Sequence, residues 1–192
     1  MLREIDWTGA FIALCFAIFV VFWIVAAFST KRTVQSNYWW RAAMLIVAAL
    51  TVVLVRLNRG QLGWLRTLLW RRTLTTGLIA DAVALAGLLV MLWARVVLAG
   101  NWSGGVVLKQ DHELVTRGPY RYVRHPIYSG LLLLLLAGAI WAGGVRGFVF
   151  WGFAAVLLWT KALAEEKLLT QHFGAGYRNY KARVKALVPY VL

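Results

Sequence analysis

The chain has 192 residues, of which 61% are hydrophobic and 15% charged, and this ratio excludes a soluble domain because too little polar surface remains to cover a core. The formal charge of +14, from 21 Lys and Arg against 7 Asp and Glu, would suit nucleic acid in a soluble protein. Here the basic residues lie mostly between long apolar runs, which indicates anionic lipid headgroups instead of nucleic acid. The single cysteine, Cys15, excludes an intrachain disulfide and a cysteine-based metal cluster.

Apolar runs predict five membrane-spanning helices, because a bilayer core about 30 Å thick needs about 20 apolar residues in helix. Residues 7–30 form the first span, which is too long for the apolar part of a signal peptide and lacks a small-residue cleavage site, so we expect it to be retained. Residues 42–55 form a short second span, preceded by an aromatic and basic belt at residues 38–41. Residues 73–94 form the third.

The third span contains one acid, Asp81, which is functional by default inside a membrane unless it pairs with a neighbouring helix. Residues 127–145 and 147–160 follow as a helical hairpin across a glycine-rich turn. The expected fold class is therefore all-α, a polytopic integral membrane protein with about five spans.

The count of Lys and Arg in the loops predicts the orientation. Segments 29–41, 95–125 and 161–192 hold 14 of these residues, against 7 in the loops of the other side, so we expect the first set in the cytoplasm. Loop 56–72 lies on the other side but holds five arginines, which does not fit this orientation. The second span could therefore be re-entrant or tilted.

A motif at the start of the fourth span carries the most chemical information. Gly118 and Pro119 predict a turn, and Pro126 suits the first position of a helix while it keeps His125 extended. The helix start then offers N–H groups and a positive dipole end to a carboxylate or phosphate, with His125 and Arg124 beside them. Ring faces for a purine are offered by Tyr120 and Tyr128. An interfacial belt of aromatic and basic residues is the structural alternative.

Three charged residues follow the fifth predicted span. Lys161 and Glu165 are one helical turn apart, roughly 6 Å along the axis, and Glu166 is adjacent. They indicate either a polar pocket or an ion pair with Glu166 in water. Further on, Arg178 and Lys185 point away from an apolar helical face, which predicts an interfacial basic helix. That face consists of Tyr177, Tyr180, Val184 and Leu187.

These residues together resemble a known family, the isoprenylcysteine carboxyl methyltransferases and their relatives among membrane phospholipid methyltransferases. Soluble nucleotide-binding folds are excluded, because their glycine-rich phosphate-binding motifs do not occur in the sequence. The resemblance rests on His112-Glu113-Leu114-Val115, Gly118-Pro119-Tyr120, Arg124-His125-Pro126-Ile127-Tyr128-Ser129-Gly130, Glu165-Glu166, Phe173-Gly174, Tyr177, Tyr180 and Pro189.

The resemblance implies a methyltransferase that uses S-adenosylmethionine and requires no metal. Its cofactor pocket would be cytoplasmic and formed by the loop before the fourth span, the start of that span and the C-terminal segment. Cofactor contacts would fall on His112, Glu113, Leu114, Val115, Tyr120, His125, Pro126, Ile127, Tyr128, Glu165 and Glu166, with an upstream polar contact at Lys109 or Gln110. Residues 1–94 are then an N-terminal three-span region and residues 95–192 the catalytic region.

Lys161 and Glu165 are the expected catalytic residues. Prenylcysteine enzymes of the family have an arginine at the position of Lys161; lysine keeps the charge but loses the bidentate geometry toward a carboxylate. The expected reaction is carboxyl O-methylation of a prenylcysteine-like, lipophilic acceptor drawn from the bilayer. Alternatives are N-methylation of an amino-headgroup lipid, an NADPH-dependent reductase of the sterol type, and a non-enzymatic membrane subunit.

Overall fold

The computed structural model describes residues 7–28, 33–37, 63–102, 106–109 and 113–191, most of which are helical. Within these residues there are five α-helices: Trp7–Ala27 (α1), Leu74–Leu98 (α2), Pro126–Ala142 (α3), Val145–Phe173 (α4) and Ala175–Arg183 (α5). In this part of the chain α1, α2 and α4 are long and apolar enough to cross a membrane, whereas α3 is a shorter apolar helix. The chain is a membrane protein.

The helix bounds agree with three of the five predicted spans and differ from the fifth. Helices α1, α2 and α3 lie within a few residues of the first, third and fourth predictions. The fifth prediction, residues 147–160, is too short because α4 continues to Phe173. The charges after Thr160 end the apolar run but not the helix, since the Ala, Leu, Glu and Lys that follow are good helix formers. The predicted second span, residues 42–55, lies outside the described residues.

Local sequence accounts for where these helices start and stop. Thr73 precedes α2 in a reciprocal capping box, in which its side chain accepts from the Thr76 backbone and the Thr76 side chain accepts from the Thr73 backbone. Helix α3 ends at Gly143, whose φ of +67° is left-handed and suits glycine. A Cβ at Gly143 would lie 2.7 Å from the Trp70 carbonyl oxygen, which adds a steric requirement for glycine.

The packed helices α1, α2 and α3 have two ends, which we call the His125 end and the Gly143 end after a residue at each. At the His125 end, the guanidinium of Arg95 in α2 donates to the carbonyl of Ala26 in α1. At the Gly143 end, Gly77 of α2 lies against Thr8 of α1, so α1 and α2 run parallel. Strand β1 ends at Asn37 at the His125 end, and the Gly63–Arg66 turn lies at the Gly143 end. The described residues on either side of the predicted second span therefore lie at opposite ends of the helices.

Close backbone packing joins α2 to α3. Gly87 and Gly130 face each other so tightly that a Cβ on either would lie 2.6 Å from the carbonyl oxygen of the other. Small residues allow such approaches between membrane helices. The surrounding buried core lies among α1, α2 and α3 and consists of Ile12, Cys15, Ala80, Ala84, Leu88, Met91, Leu134 and Ala137. Asp81 lies half-buried in α2 toward the Gly143 end, away from the predicted site.

A short antiparallel ribbon corrects the expectation of an all-α chain. Strands β1 (Thr33–Asn37) and β2 (Val106–Lys109) pair at the His125 end. Both strands fall within the predicted loops 29–41 and 95–125. Four or five residues give too weak a pattern for prediction, because their pairing depends on strands about 70 residues apart in sequence. The fold is mostly helical, with this ribbon beside the helices.

Candidate active site

The C-terminal segment, residues 181–187, lies along the loop that leads into α3. Arg124 and His125 donate their backbone N–H groups to the carbonyls of Lys185 and Ala186, at 2.8 and 2.9 Å. Pro126 occupies the first position of α3, as predicted, and His125 its N-cap. The prediction that Pro126 keeps His125 extended is wrong: its ψ is 59°, because the His125 carbonyl accepts the N–H groups of Tyr128 and Ser129. Helix α5 ends at Arg183, so only the first part of the tail is helical. Residues from both ends of the predicted catalytic region therefore meet at His125.

Glu166 is the buried centre of a cationic cluster. Its side chain is 3% exposed. Arg124 donates from Nε at 2.8 Å, and its Nη2 lies 2.7 Å away, both on Oε1, which also lies 3.2 Å from His125 Nε2. Lys181 Nζ lies 2.6 Å from Oε2 as a charge contact without hydrogen-bond alignment. A buried carboxylate requires such compensation. Glu166 thus connects α4 to the loop before α3 and to α5.

Glu165 has a different and more open environment. The Tyr128 hydroxyl donates to its Oε1 at 2.6 Å, and Lys161 Nζ lies 3.7 Å from the same oxygen. His125 Nδ1 lies 3.7 Å from Oε2. The side chain is 20% exposed, whereas that of Glu166 is almost fully enclosed. Of the two neighbouring acids, Glu165 is the one that a ligand can reach.

The His125 ring stands between the two carboxylates, with Nε2 toward Glu166 and Nδ1 toward Glu165. It stacks on the Tyr128 ring with centroids 5.3 Å apart and planes 1° from parallel. Lys161 Nζ lies 5.2 Å from the centroid of the same tyrosine. One face of Tyr128 is therefore covered by histidine, which leaves less ring surface for a purine than the sequence suggested.

Three buried tyrosines support this cluster as neutral phenols. Burial raises the pKa of Tyr120, and nearby Glu165 raises it further. Burial also raises the pKa of Tyr177 and of Tyr180 in α5. The Tyr180 hydroxyl donates to the Tyr120 carbonyl at 2.5 Å. These phenols hold α5 against the 3₁₀ turn Gly118–Arg121 and are not suited to act as bases near neutral pH.

The structure brings together only part of the predicted site. His125, Tyr128, Lys161, Glu165 and Glu166 form one group, with Pro126, Ile127 and Tyr120 beside it. The segment of Glu113, Leu114 and Val115 is placed by another contact, since the Glu113 backbone N–H donates to Asn101 Oδ1 at 3.4 Å at the end of α2. Lys109 ends β2, and Gln110 and His112 lie outside the described residues.

Sequence reasoning missed two members of the cluster. Arg124 was noted only as a neighbour of His125, yet it is the principal partner of Glu166 and also donates to the carbonyls of Lys181 and Val184. The adjacency of Arg124 to a buried histidine was a usable signal. Lys181 lies in a generally basic tail, and no spacing relates it to Glu166, so its role depended on the tertiary fold.

Comparison with known proteins identifies the region that carries this group. A family model described as the isoprenylcysteine carboxyl methyltransferase (ICMT) family matches residues 79–171. Residues 79–171, just under half of the chain, are therefore similar to that family. The match includes His125, Lys161 and both glutamates, and ends before α5.

Curated relatives match similar parts of the chain. Protein-S-isoprenylcysteine O-methyltransferase of Schizosaccharomyces pombe is 34% identical over 105 residues, covering 51% of this chain and 43% of that protein. Uncharacterized protein YpbQ of Bacillus subtilis is 34% identical over 92 residues, 47% of this chain and 55% of its own. Methanethiol S-methyltransferase 1 of Bradyrhizobium diazoefficiens is 34% identical over 71 residues, 37% and 24% respectively. The matches thus span about half the length of these relatives, or less.

Proposed function

We propose that the chain is an integral membrane methyltransferase that takes its methyl group from S-adenosylmethionine and transfers it to a lipophilic acceptor. The observation that carries this proposal is the pair of neighbouring carboxylates around His125, of which Glu166 is enclosed and paired with Arg124 and Lys181 while Glu165 stays accessible. The group lies inside the region that the isoprenylcysteine carboxyl methyltransferase family model matches. Names of the relatives, which include a prenylcysteine and a methanethiol methyltransferase, support methyl transfer as the reaction class.

The residues present suit this cofactor. S-Adenosylmethionine supplies an activated methyl group on a cationic sulfonium and also carries an ammonium group. The Glu165 carboxylate lies 3.7 Å from the Lys161 ammonium and is 20% exposed, so it can contact a cationic ligand. The start of α3 has no side-chain cap; Pro126 has no N–H and the Tyr128 N–H donates to the His125 carbonyl, so the Ile127 N–H and the helix dipole can receive the ligand's carboxylate. We propose Glu165 and the His125–Tyr128 turn as the cofactor-binding residues.

Lys161 is proposed to place the acceptor. Its side chain is 9% exposed and its ammonium lies between Glu165 and the Tyr128 ring, on the helix that leads into the membrane. An anionic carboxylate attacks without a base and needs only a cation to position it, so Lys161 favours carboxyl O-methylation, as on a prenylcysteine-like acceptor. Exclusion of water by the buried surroundings strengthens this contact.

The active site is proposed to face the cytoplasm. The His125 end carries the segments with 14 of the 21 Lys and Arg in the five-span arrangement, which favours the cytoplasmic side. The parallel direction of α1 and α2 supports an odd number of crossings between them, as a second span would provide. Single cysteines are introduced at Arg71 or Lys185 and labelled in oriented vesicles with a membrane-impermeant reagent. A reagent added on one side should label only one of the two positions.

The experiment that tests the function separates it from its rivals. S-Adenosylhomocysteine at about 100 times its dissociation constant should stabilise the detergent-solubilised protein by about 2.7 kcal/mol, and NADPH should leave the melting temperature unchanged. Transfer of labelled methyl should then be measured on prenylcysteine analogues, amino-headgroup lipids and small thiols, with Lys161→Met as the acceptor-site control. Stabilisation by NADPH alone would support a reductase, and stabilisation by neither ligand would refute an enzyme of either class.

A further inference from the structure

The His125 end presents a strongly basic surface in the described residues. Seven basic side chains are exposed there, against one exposed acid, Glu113. The basic side chains are those of Arg117, Arg121, Lys167, Arg178, Lys181, Arg183 and Lys185. Such a surface attracts anions, and its location beside membrane helices restricts which anions it meets.

The tail after α5 returns to the depth of the membrane helices. Ser129, in the first turn of the apolar helix α3, donates from Oγ to the Leu187 carbonyl at 2.6 Å. The chain then continues with Val188, Tyr190 and Val191, whose side chains are 47, 88 and 74% exposed. Exposed apolar side chains next to the first turn of an apolar helix are at the level where a bilayer interface begins.

Helix α5 separates its apolar and basic side chains. Tyr177 and Tyr180 are buried against the protein, while Arg178 and Lys181 are exposed and one turn apart. Lys185 lies two residues beyond the end of α5 and is also exposed. The exposed basic side chains and the exposed apolar tail thus all lie within residues 178–191.

We propose that this surface, formed by Arg178, Lys185, Tyr190 and Val191, docks on the anionic leaflet of the membrane. The cations contact phospholipid headgroups, and the tyrosine and valine enter the interfacial layer. An amphipathic segment combines these two contributions when it lies in a membrane interface. A soluble acidic partner would pair with the cations, but it would provide no apolar environment for Tyr190 and Val191 at the depth of the bilayer interface.

This docking has a consequence for the neighbouring site. The C-terminal segment pairs with the backbone of Arg124 and His125, and Lys181 contacts buried Glu166. Lipid that holds the outer surface of the segment also holds its inner surface against His125. If the proposed function is correct, cofactor affinity rises with the anionic lipid content of the membrane.

Thiol accessibility at position 190 tests the docking without reference to catalysis. The chain carrying Tyr190→Cys is placed in nanodiscs of phosphatidylcholine, with or without phosphatidylserine, and labelled with a water-soluble maleimide; buried Cys15 sets the background rate. We expect the rate of maleimide labelling to be lower by about fivefold or more in the anionic discs. A factor of about five is the effect expected when one Lys or Arg is attracted to an anionic lipid surface. Salt near 1 M, with a Debye length of about 3 Å, should restore the rate.

Matched variants identify the cations responsible. Arg178→Gln with Lys185→Gln should restore the rate seen in neutral discs, whereas Arg71→Gln with Arg146→Gln, exposed at the Gly143 end, should not. Equal labelling in both lipids, or equal loss of protection in both double variants, would overturn the proposal. Protection that follows the number of chains per disc and not lipid charge would assign the surface to a second copy. Ligand-induced melting shifts on the same samples report the proposed function separately.

Discussion

Replacing Glu165 or its neighbour Glu166 by glutamine should produce two different phenotypes. Glu166→Gln removes the charge at the centre of a buried cluster, and Glu165→Gln removes the charge of an accessible carboxylate. We expect the first variant to lose stability and the second to lose cofactor affinity. The pair is a matched comparison because both residues lie in the same turn of α4 and both glutamines keep the shape of the native side chain.

The contacts set the size of each effect. Removal of one partner from a buried ion pair costs about 3–5 kcal/mol, because the other charge stays buried. Lys181 is 48% exposed and can turn to water, so the cost at Glu166 arises mainly from Arg124, 8% exposed, and lies near the lower limit. A loss of about 3 kcal/mol lowers the melting temperature by about 6–12 °C. Glu165→Gln should cost about 1 kcal/mol or less in stability but weaken S-adenosylhomocysteine binding at least tenfold, about 1.4 kcal/mol.

Melting curves and calorimetric titration in the same detergent measure both quantities. Adding Arg124→Met to Glu166→Gln should recover part of the lost stability, because the uncompensated guanidinium is then gone. A Glu166→Gln variant with native stability would refute the division of roles. Normal cofactor affinity in a folded Glu165→Gln variant would also refute it. Glu165 would then have only a structural role, as the ion-pair partner of Lys161.

Three further predictions concern single positions. His125→Ala should weaken S-adenosylhomocysteine binding at least tenfold, about 1.4 kcal/mol, by titration; unchanged affinity would favour a purely interfacial role. Gly130→Ala should lower stability by about 1–3 kcal/mol through overpacking, whereas Gly138→Ala, with nothing within 4 Å, should not. Because the folded state keeps the Tyr180 phenol protonated, its contribution is lost as pH rises above the unfolded value near 10. The alkaline fall in melting temperature should therefore be smaller in Tyr180→Phe, and an unchanged fall would contradict this.

The features predicted from sequence are those that depend on neighbouring residues. Runs of apolar side chains located α1, α2 and α3, because a helix in lipid must be apolar along its whole length. Pro126 located the start of α3, because it can occupy the first helical position and little else in a helix. Helical spacing placed Tyr177 and Tyr180 on one face, but the predicted interfacial role of that face is wrong, because both rings are buried against the protein and the helix ends at Arg183.

The features that sequence could not predict depend on tertiary contacts. Glu165 and Glu166 are chemically identical neighbours, and only the position of Arg124 and Lys181 makes one of them enclosed and the other accessible. The end of α4 was misjudged because membrane hydropathy measures where the bilayer stops, and a helix can continue into water with Ala, Glu and Lys. The ribbon depended on the pairing of two segments that are each too short to identify.

The position of His125 is fixed from three sides, and this explains why a short motif can specify a site in a small membrane protein. Five residues after His125 along α3 lies the contact of Gly130 with Gly87, which sets the height of the helix start against α2. Glu166 approaches from α4, and the Lys185 and Ala186 carbonyls approach from the tail. A substitution at any of the three contacts moves the same imidazole. Gly130 makes the first of these contacts, and Arg124 holds Glu166 for the second. Both residues of the motif are therefore required for the geometry of the site without touching cofactor or acceptor.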